Sequence, residues 1–191
     1  NPILQTLSAE NILFFTKGQG TGHFICQQFQ DLFATFGGCG STLSLLIAML
    51  LFCKSKRITD LGKLALVPGI FGINEPIVFG LPIVLNPTML IPFMLVPTVN
   101  IIISYFCMAL KIVPICSGIN IPWTMPPIIS GFLATNWVGA LLQAALIVIG
   151  VIIYMPFIKV LDKQYLNEEA QAQAAKEEDD IDLDDLSFDD L

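Results

Sequence analysis

The residue best placed to do chemistry in this sequence is Glu75, within the segment Gly-Ile-Asn-Glu-Pro at positions 72–76. Between Leu64 and Ile158, Glu75 and Lys111 are the only charged residues. A carboxylate at membrane depth costs about 2.5–3.5 kcal/mol on insertion scales, so it indicates a functional site. The surrounding glycine and prolines leave backbone N–H and C=O groups free, as the broken helices of transporters do. Three interpretations follow: the carboxylate accepts hydroxyl groups of a neutral ligand such as a sugar, it holds a proton or cation, or it is solvated at a loop tip.

Trp123 is the second candidate, because it lies in a rigid segment bounded by prolines at positions 120–127. An indole face can stack on the apolar face of a sugar ring. Tryptophan is also enriched where a membrane meets water, so an interfacial anchor is the other interpretation. For Trp137, at the start of a later apolar stretch, an anchor is the favoured interpretation.

His23 is the only histidine, and no Cys, His or carboxylate stands at metal-ligand spacing from it. It is interpreted as a polar loop residue, with general acid–base work as the alternative. The glycines at 18–22 do not complete a dinucleotide motif, and those at 37–40 lack the lysine of a phosphate-binding loop. They indicate close helix packing or a deliberate break in a helix. The five cysteines form no C-x-x-C pair and are interpreted as packing residues. We therefore predict no metal, no cofactor and no catalytic side chain.

The composition shows what kind of scaffold must position these residues. The chain is 54% hydrophobic and 13% charged, with a mean hydropathy of +0.74, whereas soluble domains are nearer 45–50% apolar and about 25% charged. Residues 1–161 carry seven Lys/Arg and four Asp/Glu, and residues 162–191 carry two Lys and twelve Asp/Glu. So few charges cannot cover a soluble surface, and the scattered basic residues exclude a nucleic-acid binder. The composition predicts an all-α polytopic membrane protein.

Two apolar stretches are long enough to cross a membrane, at about residues 90–110 and 136–158. Residues 64–87 contain too many glycines and prolines for a straight helix, and they predict a re-entrant hairpin. A second proline-rich stretch, 114–127, predicts a shorter loop or half-helix. Within residues 29–53, either the helix begins before the glycines or the segment is broken at membrane depth.

The charges also predict an orientation and a domain boundary. Placing the basic residues of 54–63 in the cytoplasm also places Lys159 and Lys163 there, as the positive-inside rule requires. Residues 1–163 then form the membrane-embedded part, and residues 164–191 form an acidic cytoplasmic tail. Its Ala/Gln/Glu segment can extend the last helix. The run Glu177–Leu191, with nine acidic residues in fifteen, is expected to be disordered.

Three blocks of this sequence resemble the enzyme IIC sugar permeases of the bacterial phosphotransferase system, in the lactose/cellobiose/diacetylchitobiose family. The longest is the sixteen-residue stretch 72–87, Gly-Ile-Asn-Glu-Pro-Ile-Val-Phe-Gly-Leu-Pro-Ile-Val-Leu-Asn-Pro. The others are residues 29–45, with their glycine cluster, and residues 113–132, with their Pro-Trp-Thr-Met-Pro-Pro core. The resemblance covers roughly residues 1–160 and leaves the acidic tail outside it.

The resemblance implies a permease in the bacterial inner membrane that carries a β-linked disaccharide while a phosphorylated enzyme IIB transfers a phosphoryl group to it. It implies that Glu75 contacts sugar hydroxyls, with Asn74 as a weaker neighbour, and that Trp123 stacks on the sugar. The family's histidine motif and its N-terminal half, which provides most of the homodimer interface, are not found here. The chain, which begins at Asn1 without an initiator Met, is therefore expected to be the C-terminal half of a longer permease.

Two other functions remain open from the residues alone. One is an ion- or proton-coupled secondary transporter that uses Glu75 as its coupling site. The other is a non-transporting membrane scaffold whose acidic tail recruits partners. The sequence does not distinguish among cellobiose, diacetylchitobiose and lactose as the sugar.

Overall fold

A computed structural model describes residues 2–18, 22–117 and 121–184 of the chain. Within these residues the regular structure is entirely helical, which agrees with the predicted all-α class. The α-helices, in chain order, are α1 (Pro2–Thr16), α2 (Gln27–Phe29), α3 (Thr42–Phe52), α4 (Lys56–Ile70), α5 (Glu75–Gly80), α6 (Pro87–Ala109), α7 (Ile129–Ala134) and α8 (Trp137–Asp184). A π-helical turn, Gln30–Ala34, continues α2, and a short 3₁₀ helix, Ile83–Leu85, precedes α6.

Among the described residues, helices α6 and α8 are long and apolar enough to be candidate membrane spans, in agreement with the two long apolar stretches of the sequence. Helix α6 has 23 residues, which at 1.5 Å per residue is about 35 Å, enough for a hydrocarbon core of about 30 Å. It begins where the sequence favours a start, because Pro87 occupies its first turn and the Asn86 side chain accepts a hydrogen bond from the Thr88 N–H at 3.0 Å.

Helix α8 extends well beyond the predicted end of its span at residue 158. Its backbone is helical to Asp184, since the Ala/Gln/Glu segment consists of strong helix formers. The run expected to be disordered is thus helical from 177 to 184, and residues 185–191 lie outside the described part of the chain. Disorder of that acidic run in solution stays a prediction.

The chain is broken at the glycine cluster, which decides between the two interpretations of residues 29–53. Helical structure stops at Ala34 and resumes at Thr42. Between them the backbone adopts positive φ at Gly37, Gly38 and Gly40, and also at Ser41. Glycine is favoured there because it has no Cβ to clash in the left-handed region. We call residues 37–41 the glycine turn.

Residues 56–85 form a helical hairpin. Helix α4 runs through Pro68 to Ile70, so the proline ends the helix only two residues later. The turn that follows includes Gly72 at φ +82, and the chain then enters the short helix α5. The predicted interruption is therefore present as helix, turn and helix, and re-entry into the membrane stays a prediction.

Two apolar clusters hold the helices together, and α8 contributes to both. Leu142 and Leu146 of α8 pack with the buried Phe29 and Phe33 from the segment around α2. Further along, Tyr154, Ile158 and Leu161 of α8 pack with buried residues of α3, α4 and α5. Helix α8 therefore packs against both the broken segment and the hairpin.

Two carboxylates on α8 accept hydrogen bonds from residues at the start of the hairpin. The buried Asp162 accepts hydrogen bonds from the backbone N–H groups of Lys54 (3.0 Å) and Ser55 (2.8 Å). Glu169 accepts one from the Ser55 hydroxyl at 2.7 Å. These partners are more than 100 residues away in the chain, so local sequence patterns do not reveal them. They secure the base of α4, whose far end carries the Glu75 segment.

Candidate functional site around Glu75

Glu75 is the first residue of α5, and its side chain is exposed. Within the described part of the chain, its carboxylate has no hydrogen-bond or ion-pair partner. The preceding residue, Asn74, is the N-cap, and its carbonyl accepts hydrogen bonds from the N–H groups of Ile77 (3.1 Å) and Val78 (3.0 Å). The helix start therefore holds the backbone at Glu75 and leaves both carboxylate oxygens available as acceptors.

Asn74 uses its side chain to hold another segment. Its Nδ2 donates to the carbonyl of Cys39 at 3.1 Å. A Cβ placed on Gly38 would lie 2.7 Å from Asn74 Cγ, so only glycine permits this approach. This contact joins the glycine turn to the residue that precedes Glu75.

Trp123 lies against the turn before Glu75. A Cβ placed on Gly72 would lie 3.1 Å from the Trp123 carbonyl oxygen and 3.5 Å from its Cε3 atom. The indole is 61% exposed, so much of the ring remains free. The backbone nearby is shaped by a turn in which the Met125 N–H donates to the Pro122 carbonyl at 3.0 Å.

The contact at Gly72 thus places Trp123 beside the turn that precedes Asn74 and Glu75, and the contact at Gly38 places the glycine turn against Asn74. An unpaired carboxylate and an exposed aromatic face stand on segments that touch each other. The carboxylate can accept hydrogen bonds from hydroxyl groups, and the aromatic face can cover an apolar ring face. This pair of functions suits a carbohydrate.

The glycine turn is the part of this region that sequence reasoning did not assign to the site. The sequence predicted a break at these glycines as one of two interpretations. It did not predict that the glycine turn contacts Asn74. Cys39, interpreted as a packing residue, is exposed on the turn instead. The available signal was the glycine cluster itself, since several adjacent glycines permit close backbone approach.

The other chemically capable residues lie outside this region. His23 Nε2 pairs with Glu10 Oε2 at 2.7 Å on the surface, which agrees with its interpretation as a polar loop residue. Cys26 and Cys116 are buried together. A hydrogen bond from the Cys116 thiol lowers the pKa of Cys26 to about 6, and the pKa of Cys116 is raised because it keeps the shared proton and is buried.

A cavity of about 640 Å³ lies between α1 and the segment that follows α6. Its lining includes Asn11, Phe14, Lys111 and Ser117, and none of Glu75, Asn74 or Trp123. Because its walls are mainly apolar and the carboxylate of Glu75 is absent from them, we place the candidate site at the open surface around Glu75.

Known proteins resemble this chain over most of its length. The sequence model of the family described as "Phosphotransferase system, EIIC" matches residues 1–97. The chain is 44% identical over 170 residues to the lichenan permease IIC component of Bacillus subtilis (strain 168), covering 88% of this chain and 38% of that protein. It is 45% identical over 172 residues to the cellobiose-specific EIIC component of Geobacillus stearothermophilus, with the same two shares, 88% and 38%. Some lactose-specific relatives are named EIICB components.

A solved structure is also similar. The crystal structure of the transporter ChbC, the IIC component from the N,N'-diacetylchitobiose-specific phosphotransferase system, matches with a TM-score of 0.85 and 43% identity, covering 88% of this chain and 40% of that one. The chain therefore spans about two fifths of the length of these relatives. The match of the family model over half of the residues, supported by these relatives, shows that the chain belongs to the EIIC family of the phosphotransferase system.

Proposed function

We propose that this chain forms the sugar-binding part of a permease that translocates a β-linked disaccharide of the cellobiose, diacetylchitobiose or lactose type. The observation that carries the proposal is the meeting of Glu75, Asn74 and Trp123 on touching segments, in a member of the EIIC family. The names of its relatives, which include cellobiose-, lactose- and diacetylchitobiose-specific components, support the substrate class.

In this proposal each residue has one role. Glu75 accepts hydrogen bonds from sugar hydroxyls with its unpaired oxygens. Trp123 stacks on an apolar ring face. Asn74 Nδ2 already donates to the Cys39 carbonyl, so Asn74 can accept a hydrogen bond from the sugar only through its side-chain oxygen, Oδ1.

The phosphoryl group in this proposal comes from a phosphorylated enzyme IIB, and the permease itself binds and moves the sugar. The naming of lactose-specific relatives as EIICB components supports a IIB partner. The protein is then a multi-pass component of the bacterial inner membrane, in contact with lipid. Its basic segment at 54–63, which includes the start of α4, and its α8 extension face the cytoplasm, and the full-length protein is a homodimer.

The deciding experiment is isothermal titration of the full-length gene product in detergent, comparing wild type with Glu75→Gln. A hydrogen bond from a sugar hydroxyl to a carboxylate is worth about 1.5–3 kcal/mol, so we expect the variant to bind at least about tenfold more weakly. Cellobiose, diacetylchitobiose and lactose are titrated in parallel, and the tightest ligand identifies the sugar.

The matched control is Glu10→Gln, which makes the same chemical change at an exposed glutamate that pairs with His23 far from the site. It should bind sugar as the wild type does. Equal sugar affinity of the wild type and Glu75→Gln would show that Glu75 does not bind the sugar. Sugar uptake that an uncoupler abolishes and that proceeds without phosphorylation would replace the proposal with the coupled transporter.

A further inference from the structure

The glycine turn receives hydrogen bonds from two helices, α6 and α8, and from Asn74, the N-cap residue of α5. Two adjacent carbonyl groups point to different donors: that of Cys39 accepts from Asn74 at 3.1 Å, and that of Gly40 accepts from the Tyr154 hydroxyl of α8 at 2.6 Å. From α6, Asn100 Nδ2 donates to the Ser41 hydroxyl oxygen at 3.0 Å. The turn is thus fastened to both candidate spans and to the residue beside Glu75.

The two donors from the spans are buried polar groups within the predominantly apolar windows of α6 and α8. Tyr154 and Asn100 each have 0% exposure. A buried donor is costly unless it makes a hydrogen bond. The Tyr154 hydroxyl makes its hydrogen bond to the glycine turn, and the Asn100 Nδ2 group makes its hydrogen bonds to the turn and to the Ala34 carbonyl just before it, at 3.4 Å. Removing either donor leaves a buried acceptor of the turn without that partner, which favours a different position of the turn.

A displacement of the turn reaches the candidate site directly. Gly38 touches the Asn74 side chain closely enough to exclude a Cβ, and Asn74 caps the helix that starts at Glu75. Because close-packed contacts transmit strain, a shift of the turn is expected to move Asn74 and, with it, the backbone at Glu75.

We infer that Tyr154 and Asn100 are positioning residues for the sugar site: through the glycine turn, the two spans set where Asn74 and Glu75 stand. This inference rests on the proposed function. Neither residue contacts the sugar in this account, and both act through the turn.

The test measures sugar affinity and thermal midpoint side by side in the full-length gene product. Tyr154→Phe removes only the hydroxyl and keeps the ring, and we expect the dissociation constant to rise at least fivefold. Asn100→Ala is the second variant, and for it too we expect the dissociation constant to rise at least fivefold. If Tyr154→Phe cannot be purified, the affinity of Asn100→Ala tests the inference. The matched control is Tyr105→Phe, at a tyrosine that is 38% exposed near Phe24 and Phe106, which should bind as the wild type does.

The labelling rate of Cys39 distinguishes a positioning role of Tyr154 from a purely structural one, because a loss of stability alone would not remove the effect of sugar on that rate. The exposed Cys39 thiol is labelled with a neutral maleimide, with and without saturating sugar. In the wild type we expect sugar to slow labelling at least fivefold, and in Tyr154→Phe we expect this protection to be largely lost. The labelling rate is followed by mass spectrometry of the peptide that contains Cys39.

The outcomes separate this inference from the proposed function. If Glu75→Gln weakens binding while Tyr154→Phe and Asn100→Ala keep the wild-type dissociation constant within twofold, the inference fails and the function stands. A fall in thermal midpoint without a change in affinity likewise overturns it. If the wild type binds none of the three sugars, the inference and the proposed function fall together.

Discussion

At the scale of single residues, the candidate site depends on what surrounds each side chain. Glu75 and Trp123 are 48 positions apart, and Gly72, a glycine with positive φ, lets their segments touch. Asn74 shows how the environment changes a role: predicted as a sugar neighbour, it has its amide group hydrogen-bonded to the Cys39 carbonyl. Its residue type could not indicate this, because any of several acceptors would satisfy an amide.

Trp123 gives a prediction that separates stacking from membrane anchoring. If the indole covers about 50 Å² of a sugar face, its loss costs about 1.2 kcal/mol at about 25 cal/mol per Å². We therefore expect Trp123→Leu to raise the dissociation constant for sugar roughly eightfold by titration. Trp137→Leu is the control, because Trp137 is equally exposed, at 64% against 61%, but stands at the start of α8. An equal effect of both substitutions would favour the anchor interpretation.

At the scale of elements, the hairpin that carries Glu75 is held at its base by α8. Asp162 accepts backbone hydrogen bonds from Lys54 and Ser55, and Arg57 lies over the Tyr165 ring at 4.5 Å from its centre. Within the first turn of α4, which lacks a side-chain cap of its own, the Arg57 N–H donates to Glu169 of α8 at 3.2 Å. The hydrophobic pattern predicted the helices, but the partner of each helix end depends on which distant residues the fold brings there.

The junction at Asp162 can be tested by its stability. Asp162→Asn removes the negative charge from the acceptor and puts an amide donor where Oδ2 accepts from the Lys54 N–H, at a cost of about 1–2 kcal/mol. We expect the thermal midpoint in detergent to fall by about 3 °C or more. The same change at Asp60, an exposed residue whose pairing with Lys63 at 3.3 Å is weak, should leave the midpoint within about 1 °C. Equal midpoints for the two variants would contradict this role of Asp162.

At the scale of the whole molecule, many large apolar side chains face outward. Phe79, Leu85 and Leu64 are each more than 70% exposed, which suits a surface that meets lipid or further protein rather than water. The chain spans about two fifths of the length of its relatives. Transport is therefore a property to be measured on the full-length gene product.

The acidic end of the chain gives a prediction at this scale. Described side-chain contacts of α8 with the hairpin base end at Glu169, so removing residues 175–191 leaves them in place. We expect this truncation to keep the dissociation constant for sugar within twofold of the wild type. A longer deletion, from residue 164, removes Tyr165 and Glu169 and serves as the destabilised comparison. Loss of sugar binding on the shorter truncation would assign the acidic run a part in the site.

The sequence by itself determined the apolar character of the chain, the two candidate spans, the interruption before α5 and the three candidate site residues, and it left the break at the glycines as one of two interpretations. These follow from local properties: apolar length, backbone freedom at glycine and proline, and an isolated carboxylate in an apolar stretch. Only the tertiary structure decided that the glycine turn stands beside Asn74, that Tyr154 and Asn100 hold it, and that Asp162 secures the hairpin. Such contacts join residues from about 35 to more than 100 positions apart, and their choice depends on how all the helices pack together, which no local pattern specifies.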